Sequence, residues 1–267
     1  MNEPIAESRS RELAAKAWVE VGALLDLQLS PLGLLAIDAL SLKRGEAVVD
    51  IGCGAGQSTL QLADRVGPEG RVTGIDIAPQ LLEVARTRAV GLGQVRFIEG
   101  DAQTVSLPNS GLDAAFSRFG VMAFADPRAA FANFHRMLKP LGRLAFVCWR
   151  GLDENQLDLL PLRAAGLEGR ADLTPFSFAD PVYLRETVEG AGFHNVKVQA
   201  RDQKVSSGDI DAMATVLLKV GPLGKILRET PRLRGRAEAA VRKALARHVN
   251  QGQVALNAAI WIVTAVA

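Results

Sequence analysis

Residues 47–56 read Ala47-Val48-Val49-Asp50-Ile51-Gly52-Cys53-Gly54-Ala55-Gly56. A short apolar run that ends in glycines has the pattern of a buried parallel strand running into a tight loop. The spacing predicts a helix straight after it, from Ser58 to Val66, and then a turn at Gly67-Pro68-Glu69-Gly70. Glycines at a strand-to-helix loop allow backbone angles closed to other residues and let a ligand approach the main chain.

The alternation continues outward from this loop. Arg71 to Ile75 reads as a strand ending at Asp76, Pro79 to Val90 as a helix and Val95 to Glu99 as a strand. Leu112 to Ser117 is the next strand and Pro127 to Leu138 the next helix. Lys139-Pro140-Leu141-Gly142 reads as a turn, followed by the apolar strand Arg143 to Trp149. Strand and helix alternating five times predicts an α/β, doubly wound, Rossmann-like parallel sheet covered on both faces. Residues 5–42 read as helices, with Ser30-Pro31 marking a helix start. After Trp149 come a mixed segment, a helix over Val182 to Ala191 and a strand over Asn195 to Val205. Residues 209–250 read as helical, broken at Gly221-Pro222, and Ala258 to Val266 reads as a last strand. The late pair of strands predicts an antiparallel edge.

Composition narrows the class. The chain has 267 residues, 48% hydrophobic and 22% charged, enough apolar material for a core. Its net charge of +2 gives no electrostatic case for nucleic acid or an anionic membrane. The basic stretch from Arg228 to Arg247 carries Ala237, Val241, Ala244 and Leu245 at helical spacing, the mark of an amphipathic helix with a solvated face. Cys53 and Cys148 lie in apolar or Gly-rich surroundings and make no disulfide framework. The polar N-terminus lacks the look of a signal peptide, and the longer apolar runs are broken by Asp26, Pro31 and Asp38, so a cytoplasmic chain without a membrane span is expected.

Three strand ends carry the chemistry. Asp76 ends the second strand, twenty residues past Gly56, where a carboxylate accepts hydrogen bonds from both hydroxyls of a ribose. Asp101, in Gly100-Asp101-Ala102, follows the third strand and suits an exocyclic amine such as that of adenine. Asp50 sets an acid before the loop, where a cationic amine fits better than a pyrophosphate. Gln57 stands where a Gly-x-Gly-x-x-Gly dinucleotide loop has its last glycine. The ligand favoured is a nucleoside with a zwitterionic amino-acid tail.

Together these pieces resemble the class I S-adenosylmethionine-dependent methyltransferases, nearest to the bacterial group that includes quinone-biosynthesis enzymes and small-molecule methyltransferases. The resemblance runs from about residue 45 to 150 through VVDIGCGAG, VTGIDI, GDA, DAAFSRF and LKPLGRLAFV. It implies a seven-stranded, mostly parallel sheet whose antiparallel strand is Ala258 to Val266. It implies a methyltransferase domain over 44–267 with a helical insertion at about 206–250, behind an N-terminal helical cover over 1–43. It implies S-adenosylmethionine as cofactor, with no metal. Asp50, Gly52, Cys53, Gly54 and Gly56 would hold the methionine part, Asp76 the ribose and Ile77 the adenine face. Asp101 and Ala102 would read the adenine edge, and Ser117 would border the sulfonium. Where the family has Pro-Gly-Gly before the fifth strand, this chain has Pro140-Leu141-Gly142.

The expected acceptor is a small, largely apolar molecule. Arg118, Phe119, Met122, Trp149 and Arg150 follow the fourth and fifth strands and are candidates to line its pocket, with Trp18 on the N-terminal helices as part of a cover. None of His135, His194 and His248 is placed as a general base, so catalysis by alignment and desolvation is expected. An NAD-dependent oxidoreductase and a cofactor-binding protein without turnover are the competing readings, and a homodimer stays open.

Overall fold

The computed structural model describes residues 5–267 of the chain, with side chains described from residue 9 onward. Its strands are β1 (Ala47–Ile51), β2 (Arg71–Asp76), β3 (Val95–Glu99), β4 (Leu112–Arg118), β5 (Leu138–Trp149), β6 (His194–Gly208), β7 (Val249–Asn250) and β8 (Gln253–Val266). The helices are α1 (Ile5–Glu20), α2 (Gly22–Leu40), α3 (Gln57–Val66), α4 (Pro79–Arg88), α5 (Pro127–Met137), α6 (Gln156–Ala165), α7 (Pro181–Glu189), α8 (Ile210–Leu217), α9 (Gly221–Glu229) and α10 (Arg234–Leu245).

The strands lie in the order β3-β2-β1-β4-β5-β8-β6, with the two-residue β7 paired to β8 alone. β1 pairs in parallel with β2 and β4, β2 with β3, and β4 with β5. β8 runs antiparallel to β5, from Arg143↔Val266 to Trp149↔Ile260. The expected doubly wound, mostly parallel sheet with an antiparallel strand is therefore the observed one. All five residues of β1 are buried, as a strand covered on both faces requires.

The chain divides into two compact units. Among the described residues, one comprises residues 30–150, 174–201 and 260–267; the other comprises 5–29, 151–173 and 202–259. The first holds β1 to β5 and α3, α4, α5 and α7. Its apolar centre is a cluster of phenylalanines in which the Phe131 ring lies 5.3 Å from Phe146 and 5.6 Å from Phe134. Side-chain capping starts α5 and α7. Asp126 accepts the Ala129 N–H at 2.9 Å ahead of Pro127, and Asp180 accepts the Val182 N–H at 2.8 Å ahead of Pro181.

The other unit is mainly helical. Buried Gln28 donates to Ser207 Oγ at 3.1 Å, and the fully buried Asn155 accepts the Ala259 N–H at 2.8 Å through Oδ1. On α10, Ala237, Val241 and Leu245 face inward while Arg242 pairs with Asp211 and Glu238, as the amphipathic spacing predicts.

Several sequence expectations are corrected. Pro31 does not start a helix; it lies inside α2, and the break falls at Val21 instead. Pro31 deprives only the carbonyl of Leu27, a residue 63% exposed, so water can replace the lost bond. Uninterrupted, α2 has 19 residues and a mean hydropathy of 1.5, so by length and composition it is a helix able to cross a membrane. Its apolar character serves packing: Leu32, Ala36, Ile37 and Leu40 are at most 1% exposed. Residues 139–142 are part of β5 rather than a free turn, and the β4 register shifts between Leu112 and Ala114 to accommodate them. The end of the 209–250 stretch is strand β7, which pairs with the start of β8.

Candidate functional site

The carboxyl ends of β3, β2, β1, β4 and β5 lie side by side, and every site residue expected from the sequence except Trp18 stands on them or just beyond. The loop after β1 is fixed first. The Gly52 and Cys53 N–H groups donate to the Ile75 carbonyl at 2.9 and 3.0 Å. The three glycines then do different work, all with positive φ. A Cβ on Gly52 would lie 2.7 Å from Gly120 Cα, and one on Gly56 would lie 2.8 Å from Ala85 Cβ. Both positions are closed by packing. A Cβ on Gly54 would meet nothing within 4 Å, so this residue alone of the three presents open backbone.

Asp76 faces this loop. Its Oδ2 accepts the Gly54 N–H at 2.8 Å and its Oδ1 the Ala78 N–H at 2.9 Å. Burial pushes its carboxyl above the usual range, against the pull of those backbone donors. Ile77 follows it, 44% exposed. Asp101 is exposed and its Oδ1 accepts the Gln103 N–H at 2.8 Å, an Asx turn that opens the loop after β3. Ala102 beside it is buried, and its carbonyl accepts from Asn133 Nδ2 at 3.0 Å.

Asp50 lies fully buried at the end of β1. Its Oδ2 accepts the hydroxyls of Ser58 and Thr59 at 2.7 and 2.6 Å, whereas its Oδ1 has no hydrogen-bond partner. Burial raises its pKa to about 6, opposed by the two hydroxyls and by Arg118. Arg118 in turn donates to the Gln57 side chain. Cys53 is buried, which pushes its thiol pKa up and leaves it inert as a nucleophile.

Ser117 is tied inward. Its hydroxyl donates to the Ile51 carbonyl at 2.7 Å and accepts the Gly120 N–H at 3.1 Å, locking the end of β4 to the end of β1. Phe119 then adopts φ +65°, unusual for an aromatic residue, and its ring stacks on Trp149 at 4.0 Å with an 18° tilt. Met122 Sδ accepts the Trp149 N–H at 3.4 Å. Arg150 places its guanidinium 5.3 Å from the Trp261 ring centroid. Trp18 belongs to α1 in the mainly helical unit and is 37% exposed.

The sequence reading missed Gly120, Ser58 and Thr59. A glycine right after Phe119 was a visible signal for close backbone approach, as were two hydroxyls in the first turn after the loop.

Residues 48–142 match the family described as methyltransferase domain. Over these residues the chain is similar to methyltransferase domains. Two curated relatives carry methyltransferase names. Aklanonic acid methyltransferase DauC of Streptomyces sp. (strain C5) is 36% identical over 44% of this chain and 54% of its own length. Demethylmenaquinone methyltransferase of Thermus thermophilus is 37% identical over 41% of this chain and 50% of its own. The chain thus spans about half the length of these relatives. The fold also resembles the crystal structure of the YcgJ protein from Bacillus subtilis, with TM-score 0.60 and 19% identity over 87% of this chain and 96% of that one.

Proposed function

We propose that the chain is an S-adenosylmethionine-dependent methyltransferase that transfers a methyl group to oxygen, nitrogen or carbon of a small, largely apolar acceptor. The observation that carries this reading is the open backbone of Gly54 held against the Asp76 carboxylate, in a loop that follows the buried Asp50 with its unpartnered Oδ1. A nucleoside with a cationic amino-acid tail fits that arrangement. The Gly54 main chain gives room for close approach, and the Asp76 oxygens have lone pairs left for ribose hydroxyls. Asp50 Oδ1 needs a donor, which an ammonium group or a bridging water supplies. Gly52, Cys53 and Gly56 shape the loop, Ile77 offers an apolar face to the adenine, and Asp101 with Ala102 reads its edge. Ser117 acts through the main chain, by holding β4 against the loop.

The cofactor, when bound, supplies a methyl group on a sulfonium with an excellent leaving group. The protein's task is then alignment and exclusion of water. Phe119, Met122 and Trp149, flanked by Arg118 and Arg150, give an apolar wall with charged ends, which suits an acceptor with an apolar body. The histidines support no dedicated base. The His135 ring packs edge-on against Phe193 at 5.2 Å, and His194 is exposed at the start of β6. The relatives named for aklanonic acid and demethylmenaquinone favour a small-molecule acceptor. A cytoplasmic location belongs to the same reading, in keeping with two free cysteines.

The test is release of S-adenosylhomocysteine from S-adenosylmethionine across a panel of phenols, amines and quinols, alongside calorimetry with the cofactor and with NADH. Micromolar binding of S-adenosylmethionine and turnover with one acceptor class are expected. Binding of NADH in its place would overturn the reading.

A further inference from the structure

We propose that the protein carries a second binding site, for a small anion with an apolar body, at the amino ends of β1 and β2. This end of the sheet is opposite to the carboxyl ends that carry the glycine loop, and the proposal does not rest on methyl transfer.

The argument begins with a missing helix. The connection from β3 to β4, residues 100–111, contains turns but no helix. The sheet face it crosses is therefore roofed by a loop. That roof is fixed in place: Asn133 Nδ2 donates to the Ala102 and Val105 carbonyls at 3.0 Å, and Arg136 donates to the Leu107 carbonyl at 2.9 Å. Between roof and sheet lies a cavity of about 240 Å³, lined by Leu107, Pro108 and Leu112 and by Arg71, Thr73 and Arg96. It is smaller than the ~300–1,000 Å³ of ordinary ligand clefts, so its occupant is small.

The charges define the occupant further. Arg71 and Thr73 are two apart on β2 and share a face, and Arg96 lies opposite Thr73 on β3. The two arginines are thus diagonal neighbours on one face of the sheet, an unfavourable placement for like charges. Arg96 Nε donates to Thr73 Oγ1 at 2.8 Å, which orients its guanidinium. Among the described residues neither Arg71 nor Arg96 pairs with a carboxylate. Two unneutralised guanidinium groups at the rim of an apolar hollow suit a carboxylate or phosphate head on an apolar body, held through charge-assisted hydrogen bonds.

Phenyl phosphate is the probe. Titrated into the full chain, it should give saturable heat, with amide shifts in NMR spectra centred on Thr73, Arg96 and Leu107. Arg71→Ala and Arg96→Ala should each weaken binding at least tenfold. Both positions are exposed, so the variants should keep the wild-type circular dichroism and melting temperature. Benzyl alcohol and inorganic phosphate, each with half of the proposed chemistry, should bind at least tenfold more weakly than phenyl phosphate. Absence of saturation, full binding by the double variant, equal binding of inorganic phosphate, or shifts confined to residues 52–56 would each overturn the proposal. S-adenosylmethionine affinity, measured on the same variants, should not move, which keeps this outcome separate from that of the methyltransferase reading.

Discussion

The Gly54 N–H donates to Asp76 Oδ2 at 2.8 Å, so the loop after β1 and the end of β2 are joined by the carboxylate proposed to hold the ribose. Asp76 therefore has two tasks: it shapes the loop and it offers lone pairs outward. Asp76→Ala removes the acceptor of the Gly54 and Ala78 N–H groups, whereas Asp76→Asn keeps one acceptor oxygen. Calorimetric titration should show S-adenosylmethionine binding lost in the alanine variant and weakened at least tenfold in the asparagine variant. Wild-type affinity in both would remove Asp76 from the site.

The glycines of the loop should separate stability from binding. A methyl at Gly52 would press on Gly120 Cα, backbone against backbone, so Gly52→Ala should lose about 1–3 kcal/mol and melt earlier. Gly54→Ala meets no neighbour and should cost only the left-handed backbone, about 1–2 kcal/mol, yet it fills the approach to the main chain. Its cofactor affinity should fall at least tenfold. The comparison fails if Gly54→Ala binds as wild type does.

Asp50 gives a pH prediction. Its folded pKa lies near 6 against a usual 3.8, so the folded state holds the proton more tightly than the unfolded state. The stabilisation is full below about pH 4 and is lost as pH rises through 6, a change of about 3 kcal/mol. Asp158, buried in the mainly helical unit with a pKa of about 7, acts in the same direction up to that pH. Urea melts between pH 4 and 7 should show a shallower fall in stability for Asp50→Asn than for wild type. An unchanged slope would mean that Asp50 titrates normally.

Leu141 holds φ +64° within β5 while its N–H donates to the Ala267 carbonyl at 3.0 Å, and its side chain is mostly exposed. The side chain contributes little packing there, and the backbone carries the cost of a left-handed angle. Leu141→Gly should raise stability by about 1 kcal/mol, read as a higher denaturant midpoint. A lower midpoint would show that the exposed leucine does more than occupy the bulge.

The Phe119–Trp149 stack should matter to the acceptor and not to the cofactor. Once an acceptor is found, Trp149→Leu should raise its KM several-fold, since stacking of this kind is worth about 0.5–1.5 kcal/mol. S-adenosylmethionine affinity should stay within twofold of wild type. Loss of cofactor binding would place Trp149 in the scaffold of the loop.

The sequence by itself determined the α/β alternation, the glycine loop at the end of β1 and the acids at the ends of β1 and β2. These features are local: strand and helix periods, and residue types that suit a tight turn, are written along a few consecutive positions. Only the tertiary structure decided that Gly52 packs on Gly120 while Gly54 stays open, that Ser117 spends its hydroxyl on the main chain, and that Arg71 and Arg96 share a face beneath a helix-free connection. It also decided that α2 runs on through Pro31 and that Leu141 sits in a bulge of β5. Each of these depends on a partner distant in the chain or on exposure to water, and no pattern of neighbouring residues encodes either.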